Sequence, residues 1–204
     1  MKKTLIITLL FVMACISTSF KGKDTDKQLV KNLKGTWEGS IYIDDEEIPA
    51  DYQFFESTDG TTGKFVEVSY LHEIDGGFDI RYFSFVCGEY SVKNGKLTLT
   101  FIPESTYAEV YDEEVFGDYI SGLWNLYINE GRELLWEDES ELASSVLEFF
   151  EDNWSEVCED RNQSNNTFDN LTVTEKKMSF ADGKRTLTFK HTNREWFTAF
   201  PYSE

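Results

Sequence analysis

The stretch Gly88-Glu89-Tyr90-Ser91-Val92-Lys93-Asn94-Gly95-Lys96-Leu97-Thr98-Leu99 decides the fold. Apolar and polar residues alternate on both sides of Asn94-Gly95, the pattern of two half-buried antiparallel strands joined by a tight turn. Asn-Gly suits that turn because both of its central residues need positive φ. Working outward, Leu97, Leu99 and Phe101 alternate with Thr98 and Thr100, and Asp75-Gly76-Gly77 turns the chain into Phe78 to Val92. Further upstream, Lys64 to Leu71 carries Val66, Val68 and Tyr70 at alternate positions. The first strand, Gly35 to Ile43, puts Trp37, Ile41 and Ile43 on one face and Thr36, Glu38 and Ser40 on the other. A last hairpin runs from Leu171 to Phe180, through Ala181-Asp182-Gly183-Lys184, to Leu187 and Phe189. Regular strands with turn chemistry between them predict a mainly β fold: an antiparallel meander that closes as a barrel or folds as a sandwich.

Residues 103–169 break the rhythm. Leu123 to Ile128 and Leu134 to Trp136 read as one more hairpin turning at Asn129-Glu130-Gly131. Ala143, Leu147, Phe150, Trp154 and Val157 then recur at steps of three and four, which predicts a helical insertion at about 140–160. Such a helix could plug a barrel mouth or pack on the outer wall.

The chain has 204 residues, 40% of them hydrophobic and 16% aromatic, so a buried core is expected despite a net charge of −19. That charge repels phosphates and excludes a nucleic-acid partner. With His72 and His191 as its only imidazoles, the chain cannot build a metal site from several histidines. We expect no cofactor and no metal.

The N-terminus reads as an export signal over residues 1–20. Met1-Lys2-Lys3 is a positive start, and Thr4 to Ala14 is apolar but too short to span a bilayer. Val12-Met13-Ala14-Cys15 resembles a bacterial lipobox, which would make Cys15 the lipidated N-terminus of the mature chain; cleavage near Ser19 is the alternative. Residues 21–34 read as a tether with a short helical turn, and 35–202 as one β domain with the insertion at 103–169. The location expected is the bacterial cell envelope, outer membrane or periplasm, with the membrane touched through the lipid anchor only. Cys87 and Cys158 remain as an even pair, either bridged by a disulfide or both buried as free thiols.

Gly35-Thr36-Trp37, preceded by the turn at Lys27 to Leu33, resembles the Gly-x-Trp start of the lipocalin-like (calycin) families. The Tyr90 to Leu99 hairpin is similar to that of the lipocalin-like lipoproteins exported by gut Bacteroidetes. The resemblance covers residues 27–102 and 170–200. It implies a lipocalin-like β-barrel with Trp37 at its closed base and an arginine stacked over it, for which Arg185 and Arg194 both qualify. It also implies, by analogy of fold, a small hydrophobic ligand inside.

Val66, Val68, Tyr70, Val86, Val92, Leu97 and Leu99 are the candidate interior residues that would line such a cavity. The alternative is an interior filled by Phe54, Phe101 and Trp124. There is no Gly-x-Ser-x-Gly, phosphate loop, His-Glu-x-x-His or calcium loop. Acidic runs at Asp44 to Glu47, Asp112 to Glu114 and Glu137 to Glu141 read as a solvated face rather than as a glycosidase pair. The expected function is therefore that of a monomeric envelope lipoprotein, not an enzyme, that binds a small apolar or amphipathic molecule. A protein- or glycan-docking module with a filled barrel is the second reading.

Overall fold

The Asn94-Gly95 turn forms as its residues demand, with φ of 55° and 71°. Their two backbone N–H groups point at the Asp26 carboxylate, at 2.7 and 2.9 Å. In this way a helix over residues 25–33 (α1) is fastened to the hairpin, and its Val30 and Leu33 are buried. The structure is a computed structural model; it describes residues 25–57, 59–131, 135–164 and 166–202. The signal, the lipobox and Cys15 lie outside these residues.

Eight antiparallel strands follow one another round a meander: β1 (Gly35–Ile43), β2 (Glu46–Phe54), β3 (Thr62–Asp75), β4 (Phe78–Lys93), β5 (Lys96–Val110), β6 (Thr167–Val173), β7 (Lys177–Asp182) and β8 (Arg185–Thr192). Hydrogen bonds between β8 and β1, from Thr36↔Thr192 to Glu38↔Lys190, close the ring. Inside it, Trp37, Tyr52, Phe54, Phe65, Phe101, Phe180 and Phe189 form one packed cluster with the leucines of β5. Tyr52 and Phe54 stack at 5.9 Å, and Phe65 meets Phe101 edge-on at 5.4 Å. Each such ring contributes about 1.5–3 kcal/mol by leaving water. Gly39 and Gly88 make room for them, since a Cβ would come within 2.4 Å of Phe189 and 2.5 Å of Phe65.

Two helices, α2 (Glu113–Asn129) and α3 (Glu139–Gln163), occupy the chain between β5 and β6. The hairpin expected at Leu123 to Trp136 is not formed. Asp112 caps the N-terminus of α2, and Phe116, Tyr119 and Ile120 recur at helical spacing on its buried face. The strand-like run Leu123 to Ile128 is the last two turns of that helix. The expected helix at 140–160 is α3, extended by its cap Asp138 and by a C-terminal turn to Gln163.

Strand β5 pairs with β6 only at Leu97↔Phe168 and Thr98↔Thr167. Above that point α3 takes the place of the missing neighbour. The Asn162 side chain accepts from Phe101 N–H and donates to Phe101 C=O, both at 2.9 Å, as a strand would. Glu151 accepts from Ala108 N–H at 2.9 Å and Ser155 donates to the Pro103 carbonyl at 3.2 Å. The sheet edge is thereby satisfied without a strand. The helix faces inward as well, with Trp154 and Cys158 in the core cluster of the ring.

Candidate functional site

Where α3 ends against β1, β6, β7 and β8, a cleft of about 320 Å³ opens at the upper mouth of the ring. Ile41, Val157, Phe168 and Leu187 give it apolar walls, and Tyr52 and Arg161 also line it. Asp44, Asp160 and Asp182 stand in the same lining.

Arg161 is reached by the last turn of α3 and enters the core. Its Nη1 donates to Glu67 Oε1 at 2.6 Å, and its Nη2 to Glu67 Oε2 at 2.8 Å and to the Tyr52 hydroxyl at 3.3 Å. The guanidinium also lies 4.1 Å from the centre of the Phe101 ring. The Glu67 side chain is fully buried and that of Arg161 is 14% exposed. Burial works against the arginine's charge, but Glu67 and Tyr52 outweigh it, so Arg161 stays protonated above its ordinary range. Burial and then the Glu67 charge push the Tyr52 hydroxyl up, and the same two causes raise the Cys158 thiol to about 12.

Three of the five guanidinium N–H groups are committed by these bonds. Asn166 belongs to the same lining, and its side-chain amide nitrogen is buried without a hydrogen-bond partner. A buried donor left unpaired costs about 1–3 kcal/mol, and an acceptor brought by a ligand would recover it. The cleft therefore offers apolar walls, with a guanidinium, a buried unpaired amide and carboxylates among its lining residues.

The candidate interior residues divide between two faces. Val86, Val92, Leu97 and Leu99 point into the core cluster. Val66 and Val68 instead lie on the outer wall, packed with Phe85 and Cys87, and Tyr70 follows them on that face. The residues of β3 that face inward are Phe65, Glu67 and Ser69. Glu67 and Ser69 are polar, so alternation alone placed them in solvent. Among the rings expected to fill the interior, Phe54 and Phe101 do so, while Trp124 packs in the helical layer.

The outer wall is covered by residues 193–202, which the periodicity of the sequence did not reveal. Trp196, Phe197, Phe200 and Tyr202 pack onto it. Gln53 Oε1 accepts from the backbone N–H of Trp196 and of Phe197, both at 3.0 Å, and its Nε2 donates to the Phe197 carbonyl at 2.6 Å. Asp51 Oδ2 accepts from Arg194 and from Trp196 Nε1 at 2.9 Å each, and from Tyr70 at 3.2 Å. Its Oδ1 is buried and unpartnered. Burial raises the Asp51 carboxyl above its usual range, with those three donors only partly offsetting it.

Two further expectations are decided by these positions. Cys87 and Cys158 are both free, because one lies on the outer wall and the other on α3 within the core. Neither candidate arginine stacks on Trp37. Arg194 pairs with Asp51, and Arg185 lies over Tyr42 at 4.4 Å and pairs with Asp45 at 2.5 Å. The ring against Trp37 is His191, edge-on at 4.9 Å, while Trp37 Nε1 donates to the Leu33 carbonyl at 2.7 Å.

Among the described residues, no group of His, Cys, Asp and Glu is placed to hold a metal ion, and no helix is long and apolar enough to cross a membrane. Compared with known protein families, curated proteins and solved structures, the chain matches none.

Proposed function

We propose that this chain is an exported lipoprotein of the bacterial cell envelope with a lipocalin-like barrel, and that it binds a small amphipathic molecule at the mouth of the ring. The observation that carries the reading is the mouth cleft, whose apolar walls share one lining with Arg161 and with the unpaired Asn166 amide. A ligand there would lay its apolar part on Ile41, Phe168 and Leu187 and present an oxygen acceptor to that amide. Asp44, Asp160 and Asp182 favour a neutral or cationic end over an anionic one. The packed aromatic interior supports a site at the mouth rather than deep inside.

Native mass spectrometry of protein taken from its own host envelope tests this reading. We expect a co-purifying small molecule, lost in Ser164→Trp, which would fill the cleft from its exposed lining. No bound molecule, together with no thermal shift across neutral and amine amphiphiles, overturns it. The anchor has its own test: Cys15→Ser is expected to leave the membrane fraction, and its continued fractionation with membranes refutes lipidation.

A further inference from the structure

The α2–α3 layer joins two features, an apolar cleft and an excess of acidic side chains. The first is an apolar cleft of about 360 Å³ between the two helices, walled by Tyr119, Leu123, Tyr127, Val146 and Phe149. Phe149 is 57% exposed there. Leu126, seven residues after Tyr119 and so on the same helical face, is 46% exposed. Apolar side chains this open on one face mark a contact surface rather than a core.

The second feature is charge. Residues 111–164 contain sixteen Asp and Glu, two Arg and no Lys, a local charge of −14 within the total of −19. The remaining 150 residues hold 17 basic and 22 acidic side chains and are close to balanced. Helical spacing sets Glu141, Glu148 and Asp152 along one edge of the α3 face that carries Phe149, and Glu73 and Asp75 line the cleft itself. One of the two arginines, Arg161, is already spent on Glu67.

We propose that this face is a docking site for a cationic amphipathic segment of another polypeptide: a helix with Lys or Arg on one side and leucine-like residues on the other. The apolar ridge of the partner would enter the cleft beside Phe149, and its flanking cations would meet the carboxylates on either side. Charge also decides against a second copy of this chain, since two such faces would set the carboxylates of Glu73, Asp75, Glu141, Glu148 and Asp152 against their own copies. A neutral apolar partner would leave the acidic edges unpaired.

Binding of synthetic peptides to the purified protein by titration calorimetry tests the proposal. The probes are a Lys/Leu peptide of about 18 residues, five helical turns, with its leucines on one helical face, a scrambled peptide of the same composition, and a Glu/Leu peptide of the same pattern. We expect the ordered Lys/Leu peptide to bind at least about tenfold tighter than either control. Phe149→Ser with Leu126→Ser should abolish that preference while leaving the thermal midpoint within a few degrees, both side chains being exposed. Equal binding of the scrambled peptide means charge attraction alone and overturns the proposal. So does an undiminished preference in the double variant. Neither result bears on the mouth cleft, which shares no lining residue with this one.

Discussion

Arg161 on α3 and Glu67 on β3, 94 residues apart in sequence, meet as a two-pronged ion pair inside the strand ring. The pair ties the C-terminal turn of the helix to the inner wall, and Arg161 also lines the mouth cleft. Its value depends on both partners being present. Arg161→Met alone should cost about 3–5 kcal/mol, because the Glu67 carboxylate is left buried and uncompensated. Arg161→Met with Glu67→Met should recover most of that loss. Urea denaturation of the four proteins of the cycle measures the coupling, and a loss in the double variant equal to the sum of the two single losses would show that the pair is not coupled.

Asn162 stands in for a strand. Asn162→Ala removes both hydrogen bonds to Phe101 and should cost about 1–3 kcal/mol in denaturant unfolding. Asn162→Asp should not rescue it, since a carboxylate accepts from the N–H but cannot donate to the carbonyl. Gln163→Ala, one residue on and exposed, should stay within about 0.5 kcal/mol of the parent protein. A cost for Asn162→Ala no greater than this control rejects the strand-mimic role.

The outer wall should open separately from the core. Removing the chain after Asn193 strips Trp196 and Phe197 from Phe85 and the wall around Cys87. Cys87, whose thiol burial holds above its usual range, should then react with a thiol reagent under native conditions. Cys158, fully buried in the ring, should remain protected until global unfolding. Simultaneous modification of both thiols in the truncated protein would mean that the tail supports the whole ring.

Asp51 should make the tail's attachment depend on pH. Its carboxyl pKa is raised in the folded protein, chiefly by burial. A group of this kind takes up its proton in the folded state first, so its contribution is greatest below the unfolded value, about 3.9, and is lost as pH rises through the folded value. The stability of the parent protein relative to Asp51→Asn should therefore improve on acidification from about pH 7 to about pH 4. Comparing the two proteins cancels the titration of the many shared surface acids. A pH-independent difference would show that Asp51 is not desolvated in solution.

Much of the ring was legible before any coordinates. Asn94-Gly95 named its own turn, and alternation located the strands from Gly35 to Phe101 and from Leu171 to Phe189. The inward set around the Asn94-Gly95 turn was also readable, because Val92, Leu97 and Leu99 have polar neighbours in sequence, whereas Val86 sits between Phe85 and Cys87 and takes its face from the register of β4. On β3 the same rule picked the wrong face. Val66 and Val68 are apolar because the tail covers them, and Glu67 can face inward because Arg161 meets it there.

Local sequence determines what neighbours along the chain can settle: turns that need positive φ, a two-residue period, helix caps at Asp112 and Asp138. The tertiary structure decided what depends on distant partners. A carboxylate at position 67 reads as a surface group until a guanidinium 94 residues later neutralises it. An unpaired stretch of β5 reads as an open edge until Asn162 closes it, 61 residues on. The mouth cleft and the α2–α3 cleft exist only because that helix wedges between β5 and β6, a placement to which no period in the sequence points.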